Sequence, residues 1–174
     1  MSVHQLKVTL ADITPPIWRR LQVRSDTTLA TLHELLQIAM GWEDYHLHAF
    51  GNGFGNAYGE DINESTVALN EFAGVGDHLS YTYDFGDTWE HDILVEKILT
   101  RPRPGTVYPR CTGGRRACPP EDCGGPPGYV AMLRALRARK GARYREIKEW
   151  LAGPYDPEAF DLAEVNEQLA KLKL

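Results

Sequence analysis

No apolar run in the sequence is long enough to cross a bilayer, so we expect no membrane-spanning helix. Residues 1–13 lack the cationic start and the apolar run of a signal peptide. Cysteine is scarce, with three among 174 residues, and an odd number of thiols cannot all pair with one another. These absences favour a reducing cytoplasm as the location of the protein and argue against a membrane partner.

The composition is that of a globular protein with a sizeable core. Apolar residues make up 43% of the chain and charged residues 25%. The length predicts a single domain over residues 1–174. Within it we expect a core of sheet and helix over residues 1–100, a cysteine loop over 101–127 and a helical annex over 128–174, where apolar residues recur at three- and four-residue steps.

Charge is distributed unevenly along the chain, although the net charge is only −5. Residues 1–100 carry five Lys or Arg and fifteen Asp or Glu, whereas residues 101–148 carry twelve and three. A basic block of this size is typical of a surface that binds nucleic acid or another anion, and Arg115 and Arg116 would belong to it. The alternative is a seam in which the block attracts the acidic remainder of the chain, and the negative overall charge favours it.

The amino-terminal third predicts a hairpin followed by a helix. Apolar and polar residues alternate from Val3 to Leu10 and again from Ile17 to Val23, with prolines between them. Thr28 or a neighbouring polar residue is placed to cap a helix that ends at Gly41. Its apolar stripe consists of Leu29, Leu32, Leu36 and Met40. This order predicts an α+β fold with a β-grasp-like mixed sheet and one central helix.

A second hairpin is predicted between Leu79 and Val95, with a turn at Asp84 to Asp87. The turn would bring Asp84, Asp87 and His91 together at the rim of the sheet, as a polar cluster able to bind metal or exchange protons. The alternative for His91 is a core histidine that is hydrogen-bonded to a carboxylate.

Two further histidines, His46 and His48, lie two residues apart on a predicted strand. Their side chains should therefore point to the same face of the sheet. Such a pair binds metal, or it consists of two partly buried, hydrogen-bonded imidazoles, and the second interpretation is favoured.

All three cysteines lie in one segment rich in proline and glycine, which argues against a helix or a central strand there. The spacing of Cys111, Cys118 and Cys123 allows a structural zinc site of the Cys₃His type. His91 is the first candidate for the fourth ligand, and His48 is the second. A disulfide with a spare thiol and three reduced, buried cysteines remain open alternatives.

Four motifs occur in order along the chain, at residues 6–20, 40–48, 83–91 and 118–125. With them the sequence resembles the plasmid pRiA4b ORF-three-like family, from about Gln5 to Phe160. The resemblance implies an origin in plasmids or mobile elements and no defined activity. The candidate binding residues lie in these motifs and in the basic block: Trp42, His46, His48, Asp84, Asp87, Trp89, His91, Arg115 and Arg116.

Enzyme signatures are weak. Asp84-Phe85-Gly86 imitates the magnesium motif of kinases, but the other kinase motifs are absent, and Ser25 and Ser80 lack the arginine-rich setting of a recombinase nucleophile. We therefore expect a non-catalytic binding or accessory module, with a protein or a nucleic acid as partner. The alternatives are a nucleic-acid-binding accessory protein acting through residues 101–148 and a metal-dependent hydrolase, whose residues would be His48, Asp84, Asp87 and His91.

Overall fold

A computed structural model of the chain describes residues 2–51, 62–102 and 104–172. The strands within these ranges are β1 (Val3–Leu10), β2 (Trp18–Arg24), β3 (His48–Gly51), β4 (His78–Tyr83), β5 (Trp89–Leu99) and β6 (Arg110–Arg115). The helices are α1 (Leu29–Met40), α2 (Leu69–Phe72), α3 (Gly125–Ala138), α4 (Ala142–Leu151) and α5 (Leu162–Leu169). The predicted α+β class is confirmed. In the described ranges, no helix has the length and apolar character needed to cross a membrane.

The described strands form one sheet in the order β3-β4-β5-β1-β2-β6. Both predicted hairpins are confirmed, since β1 pairs with β2 and β4 pairs with β5. The two hairpins are joined by β1 and β5, with Leu10 opposite His91 and Val3 opposite Leu99. The prediction of a mixed sheet is wrong, because β5 runs antiparallel to β1 and each of the other pairings between the described strands is antiparallel as well.

Helix α1 is the predicted central helix, and it begins and ends where the sequence indicates. The Thr28 side chain accepts a hydrogen bond from the Thr31 amide at 3.2 Å and caps the first turn. Gly41 ends the helix in the left-handed conformation, with φ of 95°, which glycine adopts without a steric penalty. The predicted stripe is buried in the core: Leu29, Leu32, Leu36 and Met40.

One face of the sheet carries the core, and the other face is polar and partly exposed. On β1, Leu6, Val8 and Leu10 are buried, whereas Lys7 and Thr9 between them are partly exposed. The largest buried side chains of β4 and β5 continue this apolar face: Tyr81, Tyr83, Trp89, Ile93 and Val95. The polar face carries hydrogen-bonded side chains of β1, β2 and β5: Gln5, Arg20, Gln22 and Glu96.

The segment that carries the cysteines is partly a strand, which corrects the prediction of a loop over residues 101–127. Strand β6 pairs with β2 at the edge of the sheet. The prolines lie outside the strand, and glycines are tolerated at an edge, where pairing is needed on one side only. Gly114 is required by packing, because a Cβ atom there would lie 2.5 Å from the Phe160 ring.

Helix α5 covers the outer edge of β6. Asp161 caps this helix by accepting hydrogen bonds from the amides of Ala163 and Glu164. From the next turn, the Asn166 side chain accepts from the Cys111 amide at 2.8 Å and donates to the Cys111 carbonyl at 3.0 Å. Asn166 thus satisfies backbone groups that an edge strand otherwise leaves unpaired.

Arg19 is 2% exposed and lies at the junction of β2, β6 and α1. Its guanidinium donates to four backbone carbonyls, those of Ala39, Trp18, Arg115 and Arg116. The same group lies 4.4 Å from the centre of the ring of Phe160, a residue that precedes α5, and forms a cation–π interaction with it. A buried arginine therefore connects elements that are far apart in the sequence.

His91 is a core histidine, 2% exposed, whose Nδ1–H donates to the Tyr81 carbonyl at 3.0 Å. Its partner is a backbone carbonyl rather than the carboxylate expected from the sequence. The edge of the Trp42 ring system meets the imidazole at a centroid distance of 5.1 Å. Burial lowers the pKa of His91 to about 4 and keeps the ring neutral at physiological pH.

The α1 packing predicts a loss of stability when Leu32, which is fully buried, is truncated. Leu32→Ala should lower the free energy of unfolding by about 2–5 kcal/mol, because it removes apolar contacts and leaves a cavity. Glu34→Ala, at an exposed position of the same helix, is the control and should change stability little. Urea unfolding measures both, and equal stabilities for the two variants would contradict this packing.

The burial of His91 predicts that stability falls on acidification. The unfolded chain binds a proton at His91 near pH 6.5 and the folded chain only near pH 4, so the free energy of unfolding rises with pH across this window. Between about pH 7.5 and 5 the contribution lost is about 2 kcal/mol. Over this range, the free energy of unfolding of His91→Gln should fall by about 2 kcal/mol less than that of the wild type. His78→Gln, at an exposed site, should lose as much stability as the wild type. The same pH dependence in all three proteins would refute the assignment.

Candidate metal centre

Three side chains from distant parts of the chain converge at one end of the sheet. His46 precedes β3, Asp84 follows β4, and Asp122 lies in the segment between β6 and α3. One ligand atom from each lies within 4.8 Å of the other two, and no other group of three or more His, Cys, Asp or Glu side chains in the described ranges meets this condition. We call these three residues the His46 cluster.

Hydrogen bonds on both sides of Asp122 fix its position. Glu121 accepts from the Tyr83 hydroxyl and from the Glu43 amide, each at 3.0 Å. On the other side, the Gly124 amide donates to the Asp87 carboxylate at 3.0 Å. Asp122 lies between these two anchors, so the segment after β6 is held against the end of β4.

The donor atoms of the His46 cluster face each other without hydrogen bonds. His46 Nε2 lies 3.0 Å from Asp122 Oδ1 and 3.6 Å from Asp84 Oδ2. Although both distances are short, Nε2 is buried and makes no hydrogen bond with any described residue, since its geometry suits neither oxygen as an acceptor. Three potential ligand atoms this close to one another suit a bound metal ion.

Asp84 is the most rigidly held member of the cluster. Its side chain is 8% exposed, and Oδ1 accepts from the Gly86 amide at 2.9 Å, which leaves Oδ2 directed at His46. The backbone of Asp84 is left-handed, with φ of 57°, and that of Asp122 is similar, with φ of 55°. Non-glycine residues rarely adopt this conformation, and such strain concentrates at functional sites.

The site carries negative charge that no Lys or Arg in the described ranges neutralises. Within the described ranges, His46 is the one basic side chain at ion-pair distance from Asp84 and Asp122, and Glu121 has no such neighbour. The second carboxylate oxygen of Glu121, Oε2, is buried and has no hydrogen-bond partner among the described residues. Burial and the neighbouring Glu121 carboxylate raise the pKa of Tyr83, so its phenol stays protonated and donates. Carboxylates this close to one another are stabilised by a bound cation.

Exposed apolar and aromatic side chains stand next to the His46 cluster in the sequence. Tyr45 is 67% exposed and Leu47 is 74% exposed, on either side of His46. Phe85, which follows Asp84, is 54% exposed. We call these three exposed side chains, which flank His46 and follow Asp84 in the sequence, the apolar rim.

His48 does not share the surroundings of His46, which corrects the prediction that the two face the same way. Strand β3 begins at His48, so the alternation does not extend back to His46. The His48 ring stacks on that of His33 at a centroid distance of 3.6 Å, and its Nε2 lies 3.0 Å from the Glu64 carboxylate. Burial and the adjacent His48 lower the pKa of His33.

The other predicted residues of the hairpin lie around the cluster or beneath it. Asp87 binds the Gly124 amide, and His91 is enclosed in the core. Trp89 is fully buried, and Trp42 is 6% exposed and donates from Nε1 to the Pro119 carbonyl at 3.1 Å. The residues expected for a hydrolase were His48, Asp84, Asp87 and His91. Of these four, only Asp84 belongs to the His46 cluster, so the structure does not bring the set together.

The three cysteines form no disulfide, in agreement with the alternative of reduced cysteines. Burial raises the pKa of each thiol. Cys111 is 1% exposed, and its Sγ lies 3.3 Å from the Gly113 carbonyl oxygen. The sulfurs do not all lie within 4.8 Å of one another in the described ranges. Zinc at Cys111, Cys118 and Cys123, with His91 or His48 as fourth ligand, stays a prediction.

The two arginines assigned to a positive surface have different environments. Arg115 is exposed, whereas Arg116 is 1% exposed, and its Nε donates to Glu158 at 2.9 Å. Arg116 is thus removed from the predicted surface. The predicted seam with residues 1–100 is not formed by ion pairs in the described ranges, where the basic block pairs with Glu158 and Glu146 instead.

Asp122 is the member of the site that the sequence did not indicate. Its local signal is the acidic pair Glu121-Asp122 directly before Cys123, inside a segment otherwise rich in proline and glycine. The three cysteines of this segment are the more conspicuous metal ligands, and the acidic pair alone does not reveal its approach to Asp84. The motif at residues 118–125 nevertheless contains the third donor.

Comparisons with known proteins agree with the motifs. The family model described as Plasmid pRiA4b ORF-3-like protein matches residues 2–164. Uncharacterized protein y4hQ of Sinorhizobium fredii (strain NBRC 101917 / NGR234) is 38% identical over 183 residues, covering 98% of this chain and 92% of that protein. The crystal structure of the protein of unknown function MM3350 from Methanosarcina mazei Go1 is 39% identical, with a TM-score of 0.86, and the match covers 94% of this chain and 97% of that one. The chain therefore belongs to the plasmid pRiA4b ORF-3-like family.

Proposed function

We propose that this protein is a non-catalytic binding module that holds a divalent metal ion between His46, Asp84 and Asp122. The observation that carries the proposal is the convergence of three donor atoms without hydrogen bonds between them. Modest side-chain movement would place an ion about 2.1 Å from each donor. The remaining coordination positions would be open to a partner.

The donor set indicates which ions suit the site. One imidazole nitrogen and two carboxylate oxygens favour borderline ions such as Zn²⁺ or Mn²⁺ over Ca²⁺, which prefers oxygen ligands alone. The ion would also neutralise the negative charge of Asp84 and Asp122, which is otherwise unbalanced by Lys or Arg in the described ranges.

A binding role is favoured over hydrolysis by the environment of the remaining titratable groups. A metal-dependent hydrolase needs a proton acceptor beside the metal-bound water. None of the three histidines is available for this role: His46 would be occupied as a ligand, His91 is enclosed in the core, and His48 is held by His33 and Glu64. The Glu121 carboxylate is engaged through Oε1 by the Tyr83 hydroxyl and the Glu43 amide. The apolar rim of Tyr45, Leu47 and Phe85 instead supports contact with a protein partner.

An accessory role in a plasmid or mobile element and a cytoplasmic location complete the proposal. The family match supports the first. The unpaired cysteines support a reducing compartment.

The proposal predicts that Zn²⁺ or Mn²⁺ stabilises the protein and that Asp84→Asn removes this effect. An ion at about 100 times its Kd adds about 2.7 kcal/mol, which raises the Tm by roughly 5–10 °C in a domain of this size. Asp84→Asn should weaken binding by more than about tenfold. The same substitution should stabilise the metal-free protein, because it removes repulsion between carboxylates. Thermal unfolding and calorimetric titration measure these effects.

Matched controls separate the site from general effects of charge and backbone. Asp12→Asn changes an exposed aspartate that has the same left-handed backbone, with φ of 58°, and should leave the response to metal intact. His78→Ala serves as the control for His46→Ala, because His78 forms an exposed pair with Asp92. The proposal is wrong if the wild type does not respond to either ion. It is also wrong if the response survives in Asp84→Asn and His46→Ala and disappears in Cys118→Ser, a result that would support the predicted thiolate site.

A further inference from the structure

The polar face of the sheet carries a basic depression at the end opposite to the His46 cluster. The register brings Lys97 opposite Gln5, Gln5 opposite Gln22, and Gln22 opposite Arg110. These four residues form a row across β5, β1, β2 and β6, with a cation at each end and two amides between them. The amides are joined by a hydrogen bond of 2.9 Å from Gln22 to Gln5.

Arg101, Pro102, Thr106 and Tyr108, which lie between β5 and β6, line one side of the row and form with it a cavity of about 400 Å³. We call it the basic pocket and define it by its cations and hydroxyl groups: Lys97, Arg101, Arg110, Thr106, Tyr108 and Thr112. The Thr112 hydroxyl lies 3.3 Å from the Arg20 carbonyl, to which it donates. Those of Thr106 and Tyr108 make no hydrogen bond within the described ranges and are free to donate to a ligand.

The charge of the basic pocket is not cancelled by its surroundings. No Asp or Glu of the described ranges lines the cavity, and Lys97, Arg101 and Arg110 take part in none of the ion pairs found there. The nearest acidic side chain along the chain, Glu96, accepts hydrogen bonds from Nε and Nη2 of Arg20 at 2.7 and 2.8 Å.

Arg20 and Gln5 together satisfy Glu96 and hold its pKa at about 2, so it stays ionised within its own pair. The Gln5 amide donates to the same carboxylate at 2.8 Å. Since Glu96 is already neutralised by Arg20, the three cations of the pocket remain available to an external anion.

We propose that the basic pocket binds a phosphate-bearing small molecule, with Arg101 and Arg110 as the main contacts. Arginine presents several N–H groups in a plane and matches the oxygens of a phosphate, often with two hydrogen bonds at once. The volume accommodates a ligand of roughly the size of a nucleotide. The site does not depend on the metal proposed above, because the two lie at opposite ends of the sheet.

Calorimetric titration with pyrophosphate, inorganic phosphate and adenosine triphosphate at low salt tests the proposal. Pyrophosphate should bind more tightly than phosphate, because it offers more charge, and the triphosphate should bind at least as well. Arg101→Gln and Arg110→Gln should each weaken pyrophosphate binding by roughly tenfold or more. Arg134→Gln removes the same charge from an exposed position on α3 and should have little effect.

A second measurement guards against variants that fold poorly. Amide chemical shifts of the wild type should change on addition of pyrophosphate at Tyr108, Arg110 and Thr112, and not along α3. Absence of pyrophosphate binding at low salt would overturn the proposal. Equal loss in Arg134→Gln would also overturn it. The proposal would also be overturned if single-stranded oligonucleotides bound and pyrophosphate did not. The anion-binding surface would then be the helical part of the basic block.

Discussion

The position of the candidate metal centre depends on the hydrogen bonds of the buried Arg19 guanidinium. A buried guanidinium without a carboxylate must give its N–H groups to other acceptors, and here it uses backbone carbonyls of α1, β2 and the end of β6. Phe160 covers the same group, and Gly114 leaves room for that ring. The end of β6 is therefore fixed relative to the core. The segment that follows starts from this fixed point and delivers Glu121 and Asp122 to the end of β4.

The two ends of the sheet have opposite electrostatic character. At one end, the His46 cluster and Glu121 collect carboxylates without a Lys or Arg partner in the described ranges. At the other end, Lys97, Arg101 and Arg110 surround a cavity that no described carboxylate lines. Both ends combine residues from the acidic part and from the basic block, since Glu121 and Asp122 belong to the block and Lys97 belongs to residues 1–100. Each end offers a site for a ligand of opposite charge, a cation at one and an anion at the other.

The features that follow from local sequence were predicted, and those that depend on distant contacts were not. The cap at Thr28, the stop at Gly41 and both hairpins follow from periodicity and turn chemistry. His46 and Asp84 were identified as candidates, but His48 and His91 were grouped with Asp84 because the start of β3 and the depth of the core are not visible locally. Asp122 was missed because its approach to Asp84 depends on how β6 ends. Arg116 was misplaced because a count of charges does not reveal which cation is buried.

One ion can occupy the space between His46, Asp84 and Asp122 if the proposed metal centre is correct. The most direct test is a crystal structure of the protein grown with Mn²⁺ or Zn²⁺, with diffraction data collected at the absorption edge of the metal. We expect a single strong anomalous peak about 2.0–2.2 Å from His46 Nε2, Asp84 Oδ2 and Asp122 Oδ1. A peak among Cys111, Cys118 and Cys123, or no peak within reach of His46, would contradict it.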